Sequence, residues 1–188
     1  MTGNRHLCLV LGGARSGKSS WAERRLRAEP ARYVATGYRD GDDEWLERLQ
    51  RHRERRPPQW ETLETLDLVG QLGGTDPRPV LVDCLTLWLT RCIDALEGWA
   101  DPPAQTAAAV RPAFADLGRA LSAADGEVVL VSNEVGAGVV AASPSGRLFA
   151  DLLGELNCLV AQHCDEVVLM VAGIPVPVKG SPPPWRKE

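Results

Sequence analysis

The feature that most constrains the fold of this chain is a phosphate-binding motif near its N-terminus. Residues 12–19 read Gly-Gly-Ala-Arg-Ser-Gly-Lys-Ser and match the pattern G-x-x-x-x-G-K-S/T. The motif follows an apolar run, residues 7–11, and precedes a segment with helical spacing, residues 17–28. A strand, a glycine-rich turn and a helix in this order form the P-loop of nucleotide-binding proteins. An ordinary glycine-rich turn is the alternative, but the flanking strand and helix favour phosphate binding.

Each part of the motif has a chemical role. The glycines let successive backbone N–H groups point at phosphate oxygens, and the N-terminus of the following helix adds partial positive charge. Lys18 would reach the β- and γ-phosphates and act in catalysis, and Ser19 would hold Mg²⁺. The predicted phosphate-binding residues are Gly12, Gly13, Ala14, Arg15, Ser16, Gly17, Lys18 and Ser19.

Apolar runs of strand length recur along the chain with helical stretches between them. The predicted strands are residues 7–11, 32–36, 79–83, 127–132 and 166–172, and the predicted helices are residues 17–28, 43–55, 85–96, 103–123 and 145–163. Continuous Val, Leu and Ile runs are typical of parallel strands that helices cover on both faces. The pattern predicts a doubly wound, mostly parallel α/β sheet with P-loop NTPase (RecA-like) architecture, and ligands at the carboxyl ends of its strands.

Length and charge limit the possible functions. At 188 residues we expect one domain, residues 1–188. The net charge of −4 argues against a general nucleic-acid or membrane-surface binder. We expect a cytoplasmic protein, because no signal-peptide core and no apolar run near the ~20 residues of a membrane span occur. We expect buried thiols, and neither disulfides nor zinc, from the cysteines, which are Cys8, Cys84, Cys92, Cys158 and Cys164.

A carboxylate that could hold the metal follows the third apolar run. Residues 80–83 read Val-Leu-Val-Asp, and a Walker-B element places its aspartate at the end of such a strand. Asp83 could instead be only the N-cap of the helix that follows. The N-K-x-D motif with which Ras-like GTPases read guanine does not occur in the sequence.

The second candidate site is an arginine-rich helix, residues 43–55, which begins with acidic residues and ends before Pro57. Trp45, Leu49 and His52 follow one another at spacings of four and three, so His52 lies on or beside the apolar stripe. Neighbouring guanidinium groups favour a neutral imidazole, which is a nucleophile. His52 could therefore attack an α-phosphate, and a packed or interfacial histidine is the alternative. His6 and His163 have no such charged surroundings in the sequence, and we interpret them as structural.

An ordered set of motifs extends beyond these two elements. They are residues 12–19, Tyr-Val-Ala-Thr at 33–36, Asp-Glu at 43–44, Arg-Leu-x-x-His at 48–52, Arg-Pro at 56–57, Trp-Glu-Thr-Leu-Glu at 60–64, Val-Asp-Cys-Leu-Thr-Leu-Trp-Leu at 82–89, Val-Ser-Asn-Glu-Val-Gly at 131–136 and Gly-Ile-Pro at 173–175. This set resembles the adenosylcobinamide kinase / adenosylcobinamide-phosphate guanylyltransferase family of cobalamin biosynthesis, over nearly the whole chain.

The resemblance implies two reactions. ATP or GTP phosphorylates a hydroxyl of adenosylcobinamide, and GMP from GTP is then transferred to that phosphate, with a GMP-histidine intermediate at the position of His52. It also implies a homotrimer. The residues that it implies in nucleotide binding, beyond the P-loop, are Thr36, Gly37, Tyr38, Arg53, Glu54, Arg55, Arg56, Glu64 and Asp83, with Ser19 and Asp83 holding Mg²⁺.

Two other functions fit the residues less closely. One is a P-loop kinase of another small metabolite, in which no covalent nucleotidyl intermediate forms. The other is a nucleotide-dependent regulatory switch that binds a protein partner. The sequence also departs from the family pattern at Arg91, where we expect Asn, and in a longer segment at residues 141–144. We expect both departures to affect the corrinoid-facing surface more than the nucleotide site.

Overall fold

A computed structural model describes residues 5–26, 30–37, 43, 47, 50, 53–54, 56–74 and 76–180. The strands are β1 (His6–Gly12), β2 (Arg32–Ala35), β3 (Glu61–Glu64), β4 (Val80–Asp83), β5 (Glu127–Val131), β6 (Glu166–Val171) and β7 (Ile174–Lys179). The helices with defined bounds are α1 (Lys18–Arg25), α2 (Leu68–Leu72), α3 (Leu85–Ala95), α4 (Pro103–Ala123) and α5 (Pro144–His163).

The strands form one sheet in the order β3-β2-β4-β5-β1-β6-β7. Every neighbouring pair is parallel except β6 and β7, which are antiparallel. The prediction of a mostly parallel α/β sheet is confirmed. Because β5 alone separates β1 from β4, the turn after β1 and the end of β4 lie close together at the carboxyl edge of the sheet.

Two apolar layers cover the sheet. Leu7 and Leu9 of β1 belong to the larger core, which includes side chains of α2, α3, α4 and α5. Cys8 and Val10 of the same strand belong to the smaller core, with Trp21 of α1. Successive residues of a strand point to opposite faces, so a continuous apolar run supplies both layers. Burial of each large aliphatic side chain contributes about 1.5–3 kcal/mol before the entropy of folding is counted.

Neither edge strand of the sheet, β3 or β7, was predicted from the sequence. β3 reads Glu-Thr-Leu-Glu and has no buried residue, so it lacks the apolar run of a central strand. β7 reads Ile-Pro-Val-Pro-Val-Lys, and its prolines are tolerated because an edge strand leaves N–H groups unpaired. The predicted strand 166–172 ends at Val171, because Ala172 (φ 50°) and Gly173 (φ 82°) turn the chain into β7.

The arginine-rich helix is described at five positions. Asp43, Glu47, Gln50, Arg53 and Glu54 have helical backbone, in agreement with the predicted helix. Three predicted site residues, Tyr38, His52 and Arg55, lie outside the described residues. In the described part of the chain, no helix combines the length and the apolarity needed to span a bilayer.

Two expectations about single residues are wrong. Cys8, Cys84 and Cys164 are buried, but Cys92 is only partly buried and Cys158 is exposed. Cys158 belongs to the outer stripe of α5, which also carries the exposed residues 154, 155 and 162. The expectation that His6 lacks charged neighbours is wrong as well, because its Nε2 lies 3.1 Å from Oε2 of Glu166.

Candidate active site

The P-loop connects β1 to α1 with a backbone that requires glycine at two positions. A Cβ on Gly12 would lie 2.5 Å from Oγ of Ser16 and 2.8 Å from the carbonyl oxygen of Met170, so the close approach of these groups excludes a side chain. Gly17 has φ 92°, which L-residues with side chains rarely adopt, and it is the N-cap of α1. The loop is thereby held in a turn that presents the N-terminus of α1 to the carboxyl edge of the sheet.

The side chain of Lys18 folds back over the P-loop. Its Nζ donates to the carbonyl oxygen of Gly13 at 3.1 Å, and only 8% of the residue is exposed. A buried ammonium group is costly unless polar or anionic groups surround it. The ammonium group of Lys18 therefore lies beside the P-loop, where bound phosphate oxygens would contact it.

Asp83, the last residue of β4, faces the P-loop. Its Oδ1 accepts from Oγ of Ser19 at 3.4 Å, and its Oδ2 accepts from the hydroxyl of Tyr33 at 2.5 Å. The N-cap of α3 is Cys84, without a side-chain capping bond, so the structure does not support Asp83 as a helix cap. The capping alternative is therefore wrong.

The pair formed by Ser19 and Asp83 suits a hard cation. A carboxylate and a hydroxyl are oxygen ligands of the kind that Mg²⁺ prefers, and Mg²⁺ usually completes its shell with water and substrate phosphates. Among the residues that the structure describes, no group of three or more His, Cys, Asp or Glu side chains could hold a metal by itself. The residues present thus fit a metal ion shared with a bound nucleotide.

Tyr33 is a buried phenol between this carboxylate and a guanidinium group. Burial, followed by the negative charge of Asp83, raises the pKa of Tyr33 well above its usual value, so the hydroxyl keeps its proton. On the ring face, Cζ of Arg56 lies 3.4 Å from the ring centroid. A cation–π contact of this kind contributes on the order of 1 kcal/mol. Tyr33 therefore contacts both the Asp83 carboxylate and the segment after the arginine-rich helix.

The side chain of Thr36 holds the segment after β2 against the start of α3. Oγ1 of Thr36 donates to the carbonyl oxygen of Cys84 at 2.7 Å and accepts from the amide of Cys84 at 3.0 Å. Thr36 is fully buried, so its side chain joins β2 to the start of α3. Gly37, the next residue, is partly exposed and lies at the carboxyl edge. This geometry gives Thr36 a supporting position and leaves Gly37 accessible to a ligand.

Three predicted residues near the arginine-rich helix have described contacts. Arg53 forms an ion pair with Glu64, the last residue of β3. Arg56 also donates from Nη1 to Oγ1 of Thr62, at 2.9 Å. Glu54 is exposed and accepts from Nε2 of Gln50 at 2.8 Å. The structure thus brings Arg53 and Glu64 to the same edge of the sheet as the P-loop, while Arg56 contacts Thr62 and Tyr33 within β3 and β2.

Three residues that contact this site were not predicted from the sequence: Tyr33, Arg91 and Glu134. Arg91 donates from Nη1 to the carbonyl oxygens of Thr36, at 3.3 Å, and Gly37, at 3.1 Å. Arg91, where the sequence departs from the family pattern, therefore contacts the segment predicted to bind nucleotide. We had expected this departure to affect the corrinoid-facing surface more than the nucleotide site. The amide of Glu134 donates to the carbonyl oxygen of Gly12 at 3.2 Å. The position of Glu134 just beyond β5 is the sequence feature from which this residue could have been predicted.

Comparison with known proteins places this geometry in context. A family model described as cobinamide kinase / cobinamide phosphate guanyltransferase matches residues 8–178. The chain is similar to a bifunctional adenosylcobalamin biosynthesis protein, CobP, of Pseudomonas aeruginosa, with 43% identity over 93% of this chain and 98% of that protein. It is also similar to the bifunctional adenosylcobalamin biosynthesis protein CobU of Salmonella typhimurium, with 39% identity over 92% of this chain and 99% of that protein.

Solved structures share the fold at much lower identity. A prototypical ATPase from the type III secretion system of pathogenic bacteria has a TM-score of 0.53 and 12% identity, over 87% of this chain and 50% of that one. The assembled ATPase EscN of enteropathogenic E. coli has a TM-score of 0.53 and 12% identity, over 89% of this chain and 43% of that one. The chain spans only half or less of these ATPases. The likeness confirms the predicted RecA-like P-loop NTPase fold and carries no further conclusion.

Proposed function

Since the chain belongs to the cobinamide kinase / cobinamide phosphate guanyltransferase family, we propose that it phosphorylates adenosylcobinamide and then transfers GMP to the phosphate. The observation that carries the proposal is the extent of the family match, residues 8–178, which includes the P-loop, His52 and Asp83. The contacts among Ser19, Lys18 and Asp83 at one edge of the sheet support it. We further propose ATP or GTP as the phosphoryl donor and GTP as the nucleotidyl donor.

In the kinase step, the hydroxyl oxygen of adenosylcobinamide attacks the γ-phosphorus of the nucleotide. A new O–P bond forms, the bond from the γ-phosphorus to its bridging oxygen breaks, the nucleoside diphosphate leaves with that oxygen, and the hydroxyl proton passes to solvent. Lys18 and the P-loop amides hold the triphosphate and offset its negative charge. Mg²⁺, when bound, would polarise the phosphoryl oxygens, and Ser19 and Asp83 are the residues that would hold it.

In the guanylyltransferase step, we propose that a ring nitrogen of His52 attacks the α-phosphorus of GTP and that pyrophosphate leaves. A phosphate oxygen of adenosylcobinamide phosphate then attacks the same phosphorus, the N–P bond breaks, and adenosylcobinamide-GDP leaves with the histidine restored. Arg53 and Arg56 follow His52 in the sequence; Arg53 contacts Glu64 at the end of β3, and Arg56 contacts Tyr33, whose hydroxyl bonds to Asp83. These contacts support the placement of the reaction at the P-loop edge.

Nucleotide binding by the rest of the predicted set is part of this proposal. Gly37 and Tyr38 would face the nucleotide after β2, Thr36 would support them, and Glu54, Arg55 and Glu64 would complete the side formed by the arginine-rich helix and β3. Guanidinium groups near a triphosphate bind its oxygens in a fixed geometry, which favours one orientation of the α-phosphate.

We propose that the protein is cytoplasmic, is one domain over residues 1–188, binds no nucleic acid and forms a homotrimer. All five cysteines are free, which suits a reducing compartment. The net charge of −4 does not favour a polyanionic partner. Ile174, Val176 and Val178 of the edge strand β7 are exposed apolar residues, and a second copy of the chain would shield them from water.

A labelling experiment tests the covalent step. The protein is incubated with α-labelled GTP and Mg²⁺ and then denatured, and we expect label to remain attached, to be lost in acid and to survive alkali. His52→Ala should abolish the label. His163→Ala is the matched control, because His163 ends α5 and its Nδ1 contacts Oγ of Ser122 at 3.1 Å, away from the P-loop. Label retained by His52→Ala would remove His52 from the mechanism.

The same preparation separates the two alternative functions. Phosphorylation of adenosylcobinamide with γ-labelled ATP, without covalent α-label, would indicate a kinase with a structural His52. Turnover of neither substrate, together with nucleotide-dependent binding of a protein partner, would favour a regulatory switch. The family membership favours the bifunctional enzyme over both.

A further inference from the structure

A chain of contacts runs from the segment after the arginine-rich helix to the carboxylate that faces the P-loop. At one end, the guanidinium group of Arg56 lies on the ring of Tyr33, with Cζ 3.4 Å from the ring centroid. At the other end, the hydroxyl of Tyr33 donates to Oδ2 of Asp83 at 2.5 Å. Arg56 and Asp83 are thus joined through one buried side chain, and we call this series the Arg56–Tyr33–Asp83 chain.

The Asp83 carboxylate is held at both oxygens. Tyr33 contacts Oδ2, while Oδ1 accepts from Oγ of Ser19 at 3.4 Å. Without the phenol, the carboxylate could rotate about its Cβ–Cγ bond, because that torsion is broad for aspartate. The hydrogen bond from Tyr33 therefore selects the orientation in which Oδ1 stays beside Ser19.

Tyr33 is itself fixed. The residue is 2% exposed, and its ring packs at 6.4 Å from the ring of Trp60, which is also buried. The opposite contact is Arg56, whose Nη1 bonds to Thr62 and whose Nε is buried without a hydrogen-bond partner among the described residues. The phenol hydroxyl therefore has little freedom to leave Asp83 while Arg56 keeps its position.

We propose that Tyr33 is a positioning residue for the metal carboxylate, and that its contact with Arg56 couples the orientation of Asp83 to the segment after the arginine-rich helix. The proposal rests on the metal site formed by Ser19 and Asp83 in the proposed function, but not on the identity of the corrinoid substrate or on a covalent intermediate. Hydrogen-bond partners of metal-binding carboxylates commonly set metal affinity in this way.

The test uses Tyr33→Phe, which keeps the ring beneath Arg56 and removes only the hydroxyl. Mn²⁺ binding is measured by electron paramagnetic resonance with the full-length protein saturated with α,β-methylene-GTP, which cannot release pyrophosphate. We expect the Mn²⁺ dissociation constant to rise about tenfold. The affinity for the same nucleotide in EDTA should stay as in the wild type, because no phosphate contact of the P-loop is removed.

Thr106→Val is the matched control. Oγ1 of Thr106 donates to the carbonyl oxygen of Gly98 at 2.7 Å, and the residue is 1% exposed, so the variant also loses one buried hydroxyl hydrogen bond. This bond lies at the start of α4 and not at the P-loop. We expect wild-type Mn²⁺ affinity in this control. An unchanged Mn²⁺ affinity in Tyr33→Phe, or an equal loss in Thr106→Val, would overturn the positioning role.

The coupling to Arg56 needs a double variant. Arg56→Ala alone should weaken Mn²⁺ binding at saturating nucleotide. In the Tyr33→Phe background the same substitution should cause no further loss of Mn²⁺ affinity, because the hydroxyl that connects Arg56 with Asp83 is already absent. Additive losses would overturn the coupling. Failure of the covalent labelling would leave these measurements intact, whereas absence of Mn²⁺ binding in the wild-type protein would overturn the metal site and the positioning role together.

Discussion

At the scale of single residues, Arg91 holds the segment after β2, which we propose faces the nucleotide. It extends from α3 to the carbonyl oxygens of Thr36 and Gly37, just after β2. We expect Arg91→Asn to lose both bonds and to raise the dissociation constant for GTP about fivefold, which corresponds to about 1 kcal/mol of net hydrogen bonding. Equilibrium titration with a fluorescent GTP analogue measures this change.

Arg119→Asn controls for the loss of a guanidinium group. Arg119 is an exposed residue of α4 whose ion-pair partner, Asp116, lies on the same helix. Exposed pairs contribute little to stability, and this one does not contact the P-loop. Equal GTP affinities for the Arg91 and Arg119 variants would show that the bonds to the segment after β2 do not support nucleotide binding.

The site residues differ in how far the sequence could predict them. Lys18 and Ser19 belong to one contiguous motif, and Asp83 ends an apolar run, so local patterns were sufficient to propose these residues. Tyr33 and Arg91 could not be assigned in this way, because their partners lie 50 to 55 positions away in the sequence. Their roles depend on the register between β2 and β4, which places Ala35 opposite Asp83.

At the scale of secondary-structure elements, an ion cluster ties together the amino ends of β1, β5 and β6 and the end of α1. Arg25 lies 3.0 Å from Glu166 and 3.6 Å from Glu127, and His6 lies 3.1 Å from Glu166. Glu166 is 2% exposed. Removal of one partner from a buried ion pair typically costs about 3–5 kcal/mol, because the remaining charge is left uncompensated.

We therefore expect Glu166→Gln to lower the free energy of unfolding by about 3 kcal/mol in urea denaturation. Glu155→Gln is the control, since Glu155 pairs with Arg111 on exposed faces of α5 and α4 and should change stability by less than about 1 kcal/mol. GTP affinity should be unchanged in both variants under folding conditions. A weakened GTP affinity in Glu166→Gln would show that the amino edge of the sheet contributes to the site.

The elements also differ in their predictability. The central strands β1, β4 and β5 are covered on both faces and carry continuous apolar runs, which the sequence displays directly. β3 and β7 lie at the edges of the sheet and bury few or none of their residues, so polar residues and prolines stand where a central strand has a continuous apolar run. β7 was further hidden by the short turn at Ala172 and Gly173, which made β6 and β7 look like a strand followed by a loop.

At the scale of the whole molecule, the sheet separates two kinds of chemistry. The carboxyl edge carries the P-loop, Asp83 and the residues proposed to bind nucleotide, while the amino edge carries the cluster around Glu166. Between them lies the apolar core with its buried thiols. Because of this division, stability and nucleotide binding can be measured as separate properties. Ionisation of the thiols then reports on whether the core is folded.

The thiols of Cys84, Cys92 and Cys164 predict how the free energy of unfolding depends on pH. Burial raises the pKa of Cys84 and Cys92 to about 11 and that of Cys164 to about 12, from a usual value of 9.0. In the unfolded chain these thiols ionise near the usual value, so above it the unfolded state binds fewer protons than the folded state. The stabilising contribution is fully present below pH ~9 and is lost as pH rises toward the folded-state values, by up to about 1.4 kcal/mol per pH unit for each thiol.

Urea unfolding at pH 8, 9, 10 and 11 under reducing conditions measures this loss. We expect Cys164→Ala to reduce the slope between pH ~10 and ~11 by about 1.4 kcal/mol per pH unit, because one ionising group is removed. The slope is the proper readout, since the substitution also changes packing equally at every pH. Equal slopes in the wild-type protein and Cys164→Ala would mean that Cys164 ionises as readily in the folded protein as in the unfolded chain, contrary to its burial in the core at the end of α5.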